Sequence, residues 1–423
     1  MNHHEPTAEA RAADVAAVQR RTLAVLIVTQ IIGTVGVGVG PSIRVLLAGE
    51  VTRNEGWAGL ARTASTLGAA LFGLPLGNLA ARFGRRTALS VGWWTAAVGA
   101  ALTALAAQGS LVVRLFVGLL LLGAGSAVAL QGRFAATDLA LPQHKGRSLA
   151  MVVWVGTLGS VLGPNLGVPG QALGDRTGLS LYAAAFLIAA VCLGLAGLIV
   201  FLALRPDPLQ VLRATAPSAP IRAGKKRGGV GVLGHVMREN SLARYAVIAI
   251  LTAQIVMVTI MTMTPVHIIH EGGSITLVSL TISLHVVGMY ALAPVVGYLA
   301  DRGGHRLTIV IGIVAFLASL LIGTLQPNHL GWIVASLFLL GLGWSFVNVA
   351  ASALFSGAVA DENRASAQGG VDALANLFGA TAAFAAGPLL AASSFATLSV
   401  IAMVALAPLA LLTLRPPAPA PRR

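Results

Sequence analysis

Gly77-Asn78-Leu79-Ala80-Ala81-Arg82-Phe83-Gly84-Arg85-Arg86 returns 220 residues later as Gly297-Tyr298-Leu299-Ala300-Asp301-Arg302-Gly303-Gly304-His305-Arg306. Gly, Leu, Ala, Arg, Gly and Arg fall at the same places in both copies. Each copy is a short basic loop closing an apolar run, so the chain reads as a duplicated membrane unit. A bilayer core takes roughly 20 apolar residues per helix. Twelve such runs can be followed outward from the two loops. They start near Thr22, Trp57, Thr87, Leu111, Ser148 and Leu179, then near Tyr245, Ser274, Leu307, Gly331, Ala367 and Ala396. The loops therefore follow the second and the eighth run. The expected fold is all-α, with twelve transmembrane helices in two pseudo-symmetric six-helix bundles.

The composition agrees. Of 423 residues, 56% are apolar or aromatic and 10% are charged, against about 25% charged in an average soluble domain. Mean hydropathy is +0.84. A soluble enzyme, a disordered chain and a disulfide scaffold are excluded, and the 49 glycines follow no collagen period. The single cysteine, Cys192, lies in an apolar run and can form no internal disulfide.

A net charge of +14 would suggest nucleic acid in a soluble protein, but membrane proteins concentrate Lys and Arg in cytoplasmic segments. With the N-terminus inside, only Arg44, Arg53, Arg62, Arg114 and Arg176 fall outside, and the other 23 of 28 basic residues face the cytoplasm. Both termini are thus expected in the cytoplasm of a multi-pass plasma-membrane protein with no removable signal peptide and no nucleic-acid partner. The expected organisation is a tail over 1–21, a bundle over 22–204, a linker over 205–244, a bundle over 245–414 and a tail over 415–423. The linker carries Lys225-Lys226-Arg227.

The two loops resemble the G-x-L-a-D-r-x-G-r-r signature of the major facilitator superfamily. Arg114-x-x-x-Gly118 resembles a second signature of that family. Gly159-x-x-x-Gly163-Pro164-x-x-Gly167 in span 5 resembles the one typical of its antiporters. The resemblance covers nearly the whole chain and implies solute transport by alternating access in a monomer. One position departs from it: the acid of the first loop is replaced by Ala81, whereas Asp301 keeps it in the second. Gly77, Arg82, Arg86, Gly297, Asp301, Arg302 and Arg306 carry this loop signature, and Asp138 is the expected partner of Arg82 or Arg86. Packing and topology explain these residues better than substrate contact. No ATP-binding, zinc-protease, serine-hydrolase or paired-cysteine motif is present, so no enzyme and no cofactor are expected.

Four of eight methionines lie in spans 7 and 8, at Met257, Met261, Met263 and Met289. Met257 and Met261 share a helix face, as do His285 and Met289. Thioether and imidazole suit Cu(I), and Met263, His267 and His270 could relay it from outside. M-x-x-x-M followed by H-x-x-x-M resembles the CcoA-like copper importers, a branch of the same superfamily. That resemblance implies copper as the substrate, taken up as Cu(I), with Met257, Met261, His285 and Met289 as its ligands. Importers of that branch carry several membrane cysteines, and the branch extends to members assigned to organic substrates such as riboflavin. The alternative is therefore a proton-coupled carrier of a small organic compound. Arg133 and Asp372 are candidates for gating or proton coupling, with Asn376 one turn beyond Asp372. Gln30 and Gln254 are further polar candidates for a cavity. Methionines at helical spacing also serve as plain packing, whereas a mid-membrane imidazole needs a partner.

Overall fold

The computed structural model describes residues 8–53, 57–109, 111–141, 145–215, 229–359 and 361–414. Lys225-Lys226-Arg227 and both extreme ends of the chain lie outside the described residues. Every regular element among the described residues is helical. Lipid offers no partner for a backbone N–H or C=O, and a helix satisfies both within itself.

In chain order the helices are α1 (Ala8–Val39), α2 (Val45–Thr52), α3 (Ala58–Phe83), α4 (Arg85–Gly109), α5 (Val112–Ala135), α6 (Lys145–Leu162), α7 (Gly167–Thr177), α8 (Leu181–Ala203) and α9 (Pro208–Thr215). They continue as α10 (Gly229–Glu239), α11 (Ser241–His270), α12 (Ile275–Tyr290), α13 (Ala293–Gly303), α14 (His305–Leu325), α15 (Leu330–Ala358), α16 (Asp361–Ala392) and α17 (Phe395–Leu414). Eleven helical stretches among the described residues are long and apolar enough to cross a membrane. The remaining expected span, the fifth, is interrupted. Helix α6 passes into a 3-10 turn over Gly163–Leu166 and resumes as α7. Pro164 lacks the N–H an α-helix needs, and that is where regular winding stops.

Several boundaries have visible causes. The Ser180 hydroxyl accepts from the Ala183 N–H at the start of α8, and Asn240 Oδ1 accepts from Leu242 and Ala243 at the start of α11. Each occupies N–H groups that the first helical turn leaves free. The repeated loops turn at equivalent glycines, Gly84 with φ +95° and Gly304 with φ +86°, a backbone region that L side chains avoid.

The chain divides into two compact units, residues 1–39 with 64–222, and residues 40–63 with 223–423. In the first, α4 packs on α5 and α8, and α1 packs on α6 and α8. In the second, α15 packs on α11, α12 and α14. Glycine allows close approaches at matching places in the two units. A Cβ on Gly118 would lie 2.8 Å from the Gly99 carbonyl oxygen between α4 and α5. One on Gly343 would lie 3.0 Å from the Gly312 oxygen between α14 and α15.

Candidate functional site

The methionine and histidine residues of spans 7 and 8 lie in the second unit. Met257, Met261 and Met289 are buried, and His285 has no exposed surface. On α11, Gln254, Met257 and Met261 follow one another at steps of three and four, which places them on one stripe of the helix. Helix α12 packs close against α15, because a side chain at Gly341 would run into the His285 carbonyl, and one at Gly288 into that of Phe338.

That proximity fixes the chemistry of His285. Its Nδ1 donates to the Leu337 carbonyl at 2.8 Å. A carbonyl only accepts, so in the neutral ring the proton resides on Nδ1 and the lone pair on Nε2. Nε2 is buried and makes no hydrogen bond. It is an acceptor in search of a donor or a metal.

Arg62, near the start of α3, faces the same group. Its Nη1 lies 3.5 Å from the Met261 sulfur and donates to it. The guanidinium also acts electrostatically on His285 and on Arg44, so Met261 and His285 both lie beside a positive charge. On the same α11 stripe, Gln254 Oε1 accepts from Trp344 Nε1 at 3.2 Å. The Trp344 indole meets Tyr290 edge-on, with 5.8 Å between ring centres. Gln254, Trp344 and Tyr290 are all half-buried. The second unit thus carries an imidazole acceptor beside a guanidinium and, two turns away along the α11 stripe, an amide with two aromatic rings. Arg62, Trp344 and Tyr290 escaped the sequence reading. In the sequence Arg62 reads only as an outer topological charge, and the two aromatics occupy no repeated spacing.

The relay residues separate. Met263 is fully buried. His267 Nε2 donates to the Pro327 carbonyl at 2.6 Å, and the ring stacks on Phe395 at 4.3 Å. That imidazole anchors the C-terminal end of α11, while His270 is exposed.

Arg133 lies in the first unit on the last turn of α5, half-buried, with an Nε that makes no hydrogen bond. Asp372 lies in the second unit on α16 and is exposed, and its backbone carbonyl accepts from Asn376 Nδ2 at 2.9 Å. Gln30 is buried in the first unit, close to Gly132 and Gly156.

The partner of Asp138 is neither Arg82 nor Arg86. It is Arg85, whose Nε and Nη2 reach the two carboxylate oxygens at 2.8 and 3.1 Å. The left-handed turn at Gly84 sets α4 off from α3 and presents Arg85, its first residue, to Asp138. Arg82 instead lies over the Phe83 ring, and Arg86 over that of Phe201. In the second copy, Arg302 lies over Tyr298, and Arg306 donates to the Thr413 and Leu414 carbonyls at the end of α17. Asp301 is exposed, a side chain at Gly297 would meet open space, and one at Gly77 would only touch Gln131.

The span 5 signature is a helix crossing. A Cβ on Gly163 would lie 2.5 Å from the Gly38 Cα, and one on Gly159 would lie 2.6 Å from the Ile31 oxygen. Pro164 is buried in the 3-10 turn, and Gly167 opens α7.

The Major Facilitator Superfamily model matches residues 22–275 and 246–423. The chain is 36% identical to the uncharacterized MFS-type transporter YdeG of Bacillus subtilis (strain 168), over 90% of this chain and 88% of that one. It is 30% identical to the riboflavin transporter RfnT of Brucella anthropi, over 90% of this chain and 92% of that one. The fold is shared with the crystal structure of the nucleoside transporter NupG, with a TM-score of 0.70 at 15% identity over 92% of this chain and 99% of that one. A POT family peptide transporter shares it too, with a TM-score of 0.67 at 14% identity over 95% and 98%. The chain belongs to the major facilitator superfamily and is a multi-pass membrane protein and secondary transporter of that type.

Proposed function

We propose that this superfamily member carries a small planar heteroaromatic solute of the riboflavin type by alternating access, with part of its binding site formed by Gln254, Arg62, His285, Trp344 and Tyr290. The observation that carries the reading is the Arg62 guanidinium on the Met261 sulfur at 3.5 Å. Cu(I) is a cation, and to bind Met261 it would have to displace one cation and sit beside it. Two unit charges roughly 4 Å apart repel by about 4 kcal/mol at an effective dielectric near 20, close to three decades of affinity.

An organic solute meets the opposite situation. A ring N–H can donate to His285 Nε2, a ring carbonyl can accept from Arg62 or from the Gln254 amide, and a flat π-system can lie against Trp344 or Tyr290. The kinship with a riboflavin transporter supports this class.

A second reading keeps copper, favoured by one feature. Nε2 of His285 is held in the tautomer a metal would use, on the same two helices as the four buried thioethers of Met257, Met261, Met263 and Met289.

The test is counterflow of labelled riboflavin in proteoliposomes, a readout indifferent to the direction of transport. Exchange above empty liposomes is expected, falling about tenfold or more in Gln254→Ala and Trp344→Leu, as the loss of a buried hydrogen bond implies. Absence of flavin exchange, together with Cu(I) flux that vanishes in His285→Leu, would replace this reading by the second.

A further inference from the structure

The first unit carries a second group of cations, away from the residues discussed above. Arg86 near the start of α4 and Arg205 just beyond α8 both lie over one ring, that of Phe201, at 5.3 and 5.7 Å from its centre. Arg21 of α1 reaches the same helix end, its Nε donating to the Ala203 carbonyl at 3.1 Å. Among the described residues none of these three guanidiniums has a carboxylate partner. The nearby Asp207 carboxylate accepts from the backbone N–H groups of Arg86, Leu209 and Gln210.

Two apolar tracks lead away from this group. On α8, Val191, Leu195, Leu198 and Leu202 recur at steps of three and four, and all are exposed. On α4, Val91, Trp94 and Val98 do the same. The Trp94 ring lies 5.6 Å from that of Phe201, across Gly197, where a larger side chain would strike the indole. The two helices pack together, so the tracks are adjacent.

We infer that Arg86, Arg205 and Phe201 form the headgroup seat of one anionic phospholipid, whose acyl chains follow the tracks on α4 and α8. Guanidinium pairs phosphate oxygens through a planar fork of donors, and stacking on Phe201 holds two such forks at one depth. Arg21 adds positive potential beside them. The apolar tracks make the ligand a lipid, because a free phosphate gains nothing from them, and basic clusters of this kind at the end of membrane helices recognise anionic headgroups.

The experiment uses the full-length protein in nanodiscs of phosphatidylcholine alone or mixed three to one with phosphatidylglycerol. Bound lipid is counted by native mass spectrometry, and thermal stability is measured in parallel. The wild type should retain one phosphatidylglycerol in preference to phosphatidylcholine. Arg86→Gln with Arg205→Gln should lower that retention at least tenfold, and Arg302→Gln, whose guanidinium lies over Tyr298 in the other unit, should leave it intact. Arg205→Gln alone serves if the double variant fails to fold. Equal retention in these variants, equal retention of phosphatidylcholine, or stabilisation of the wild type by inorganic phosphate to the same degree would each overturn the inference.

Discussion

Replacing Arg62 by Gln tests the charge argument directly. The substitution keeps an amide donor for the Met261 sulfur and removes the positive charge now 3.5 Å from it. A copper ion bound there would lie about 4–5 Å from the guanidinium, where repulsion amounts to about 3–4 kcal/mol at an effective dielectric near 20. Since about 1.4 kcal/mol is a tenfold change, Arg62→Gln should tighten Cu(I) binding by two to three decades. The assay is competition against a calibrated Cu(I) chelator under reducing conditions, with wild type, Arg62→Gln and Arg62→Gln combined with His285→Leu. The wild type should lose to the chelator, the single variant should compete, and the double variant should lose again. If the wild type already binds one equivalent tightly and Arg62→Gln changes that less than threefold, the charge is not what governs the site. Copper then becomes the better substrate.

Arg85→Gln should destabilise the protein by roughly 2–4 kcal/mol, because it strands a carboxylate that is only 10% exposed, whereas Arg82→Gln should be nearly silent; chemical denaturation of both variants decides. Gly84→Ala and Gly304→Ala both force a non-glycine residue to positive φ, which costs about 1–3 kcal/mol. The first should be the worse, because its methyl group meets the Asp207 carboxylate while the second meets nothing within 4 Å; equal melting temperatures would contradict this. Gly163→Val should abolish the monodisperse peak in fluorescence-detected chromatography, since its neighbours are backbone atoms of α1, while Gly194→Val, with nothing within 4 Å, should retain it.

The fold was legible because its signals are local. Apolar run length gave the spans, and a fixed offset gave the repeat, which reappears as the left-handed turns at Gly84 and Gly304. Run length alone did not reveal the interruption of span 5 at Gly163-Pro164, because what fills the space there is the backbone of α1 at Gly38. The soft-ligand pattern was equally local, four residues apart on each helix. What decides its use is not. Arg62 stands 199 residues before Met261, Trp344 stands 90 after Gln254, and the partner of His285 is a backbone carbonyl 52 residues away. No side-chain pattern reports a carbonyl. The pairing of Asp138 with Arg85 is hidden in the sequence for a similar reason, because three arginines within five residues are distinguished only by which side of the Gly84 turn they occupy.

That turn also shows how the two copies of the loop have parted. The second copy keeps Asp301, while the first has Ala81 and draws a carboxylate from elsewhere. Asp207, buried just before α9, accepts from the Arg86 N–H at 2.7 Å and from Leu209 at 3.0 Å, so one carboxylate caps the starts of α4 and α9 together. Arg213 and Gln210 of α9 donate in turn to the Ala81 and Phe83 carbonyls, at 2.7 and 3.4 Å. Helix α9 therefore holds the loop that lacks its own acid. Oδ2 serves Arg86 and Oδ1 serves Leu209 and Gln210, so Asp207→Asn keeps the shape but turns an NH2 group on the N–H donors of one cap, a loss of about 1–2 kcal/mol that α9 passes to the other. Hydrogen exchange should then accelerate together over residues 81–88 and 208–215, and stay unchanged over 297–308, where Gly304 has no such neighbour. If the first two segments exchange independently of one another, α9 is a bystander, and the first copy of the loop is held by Arg85 and Asp138 alone.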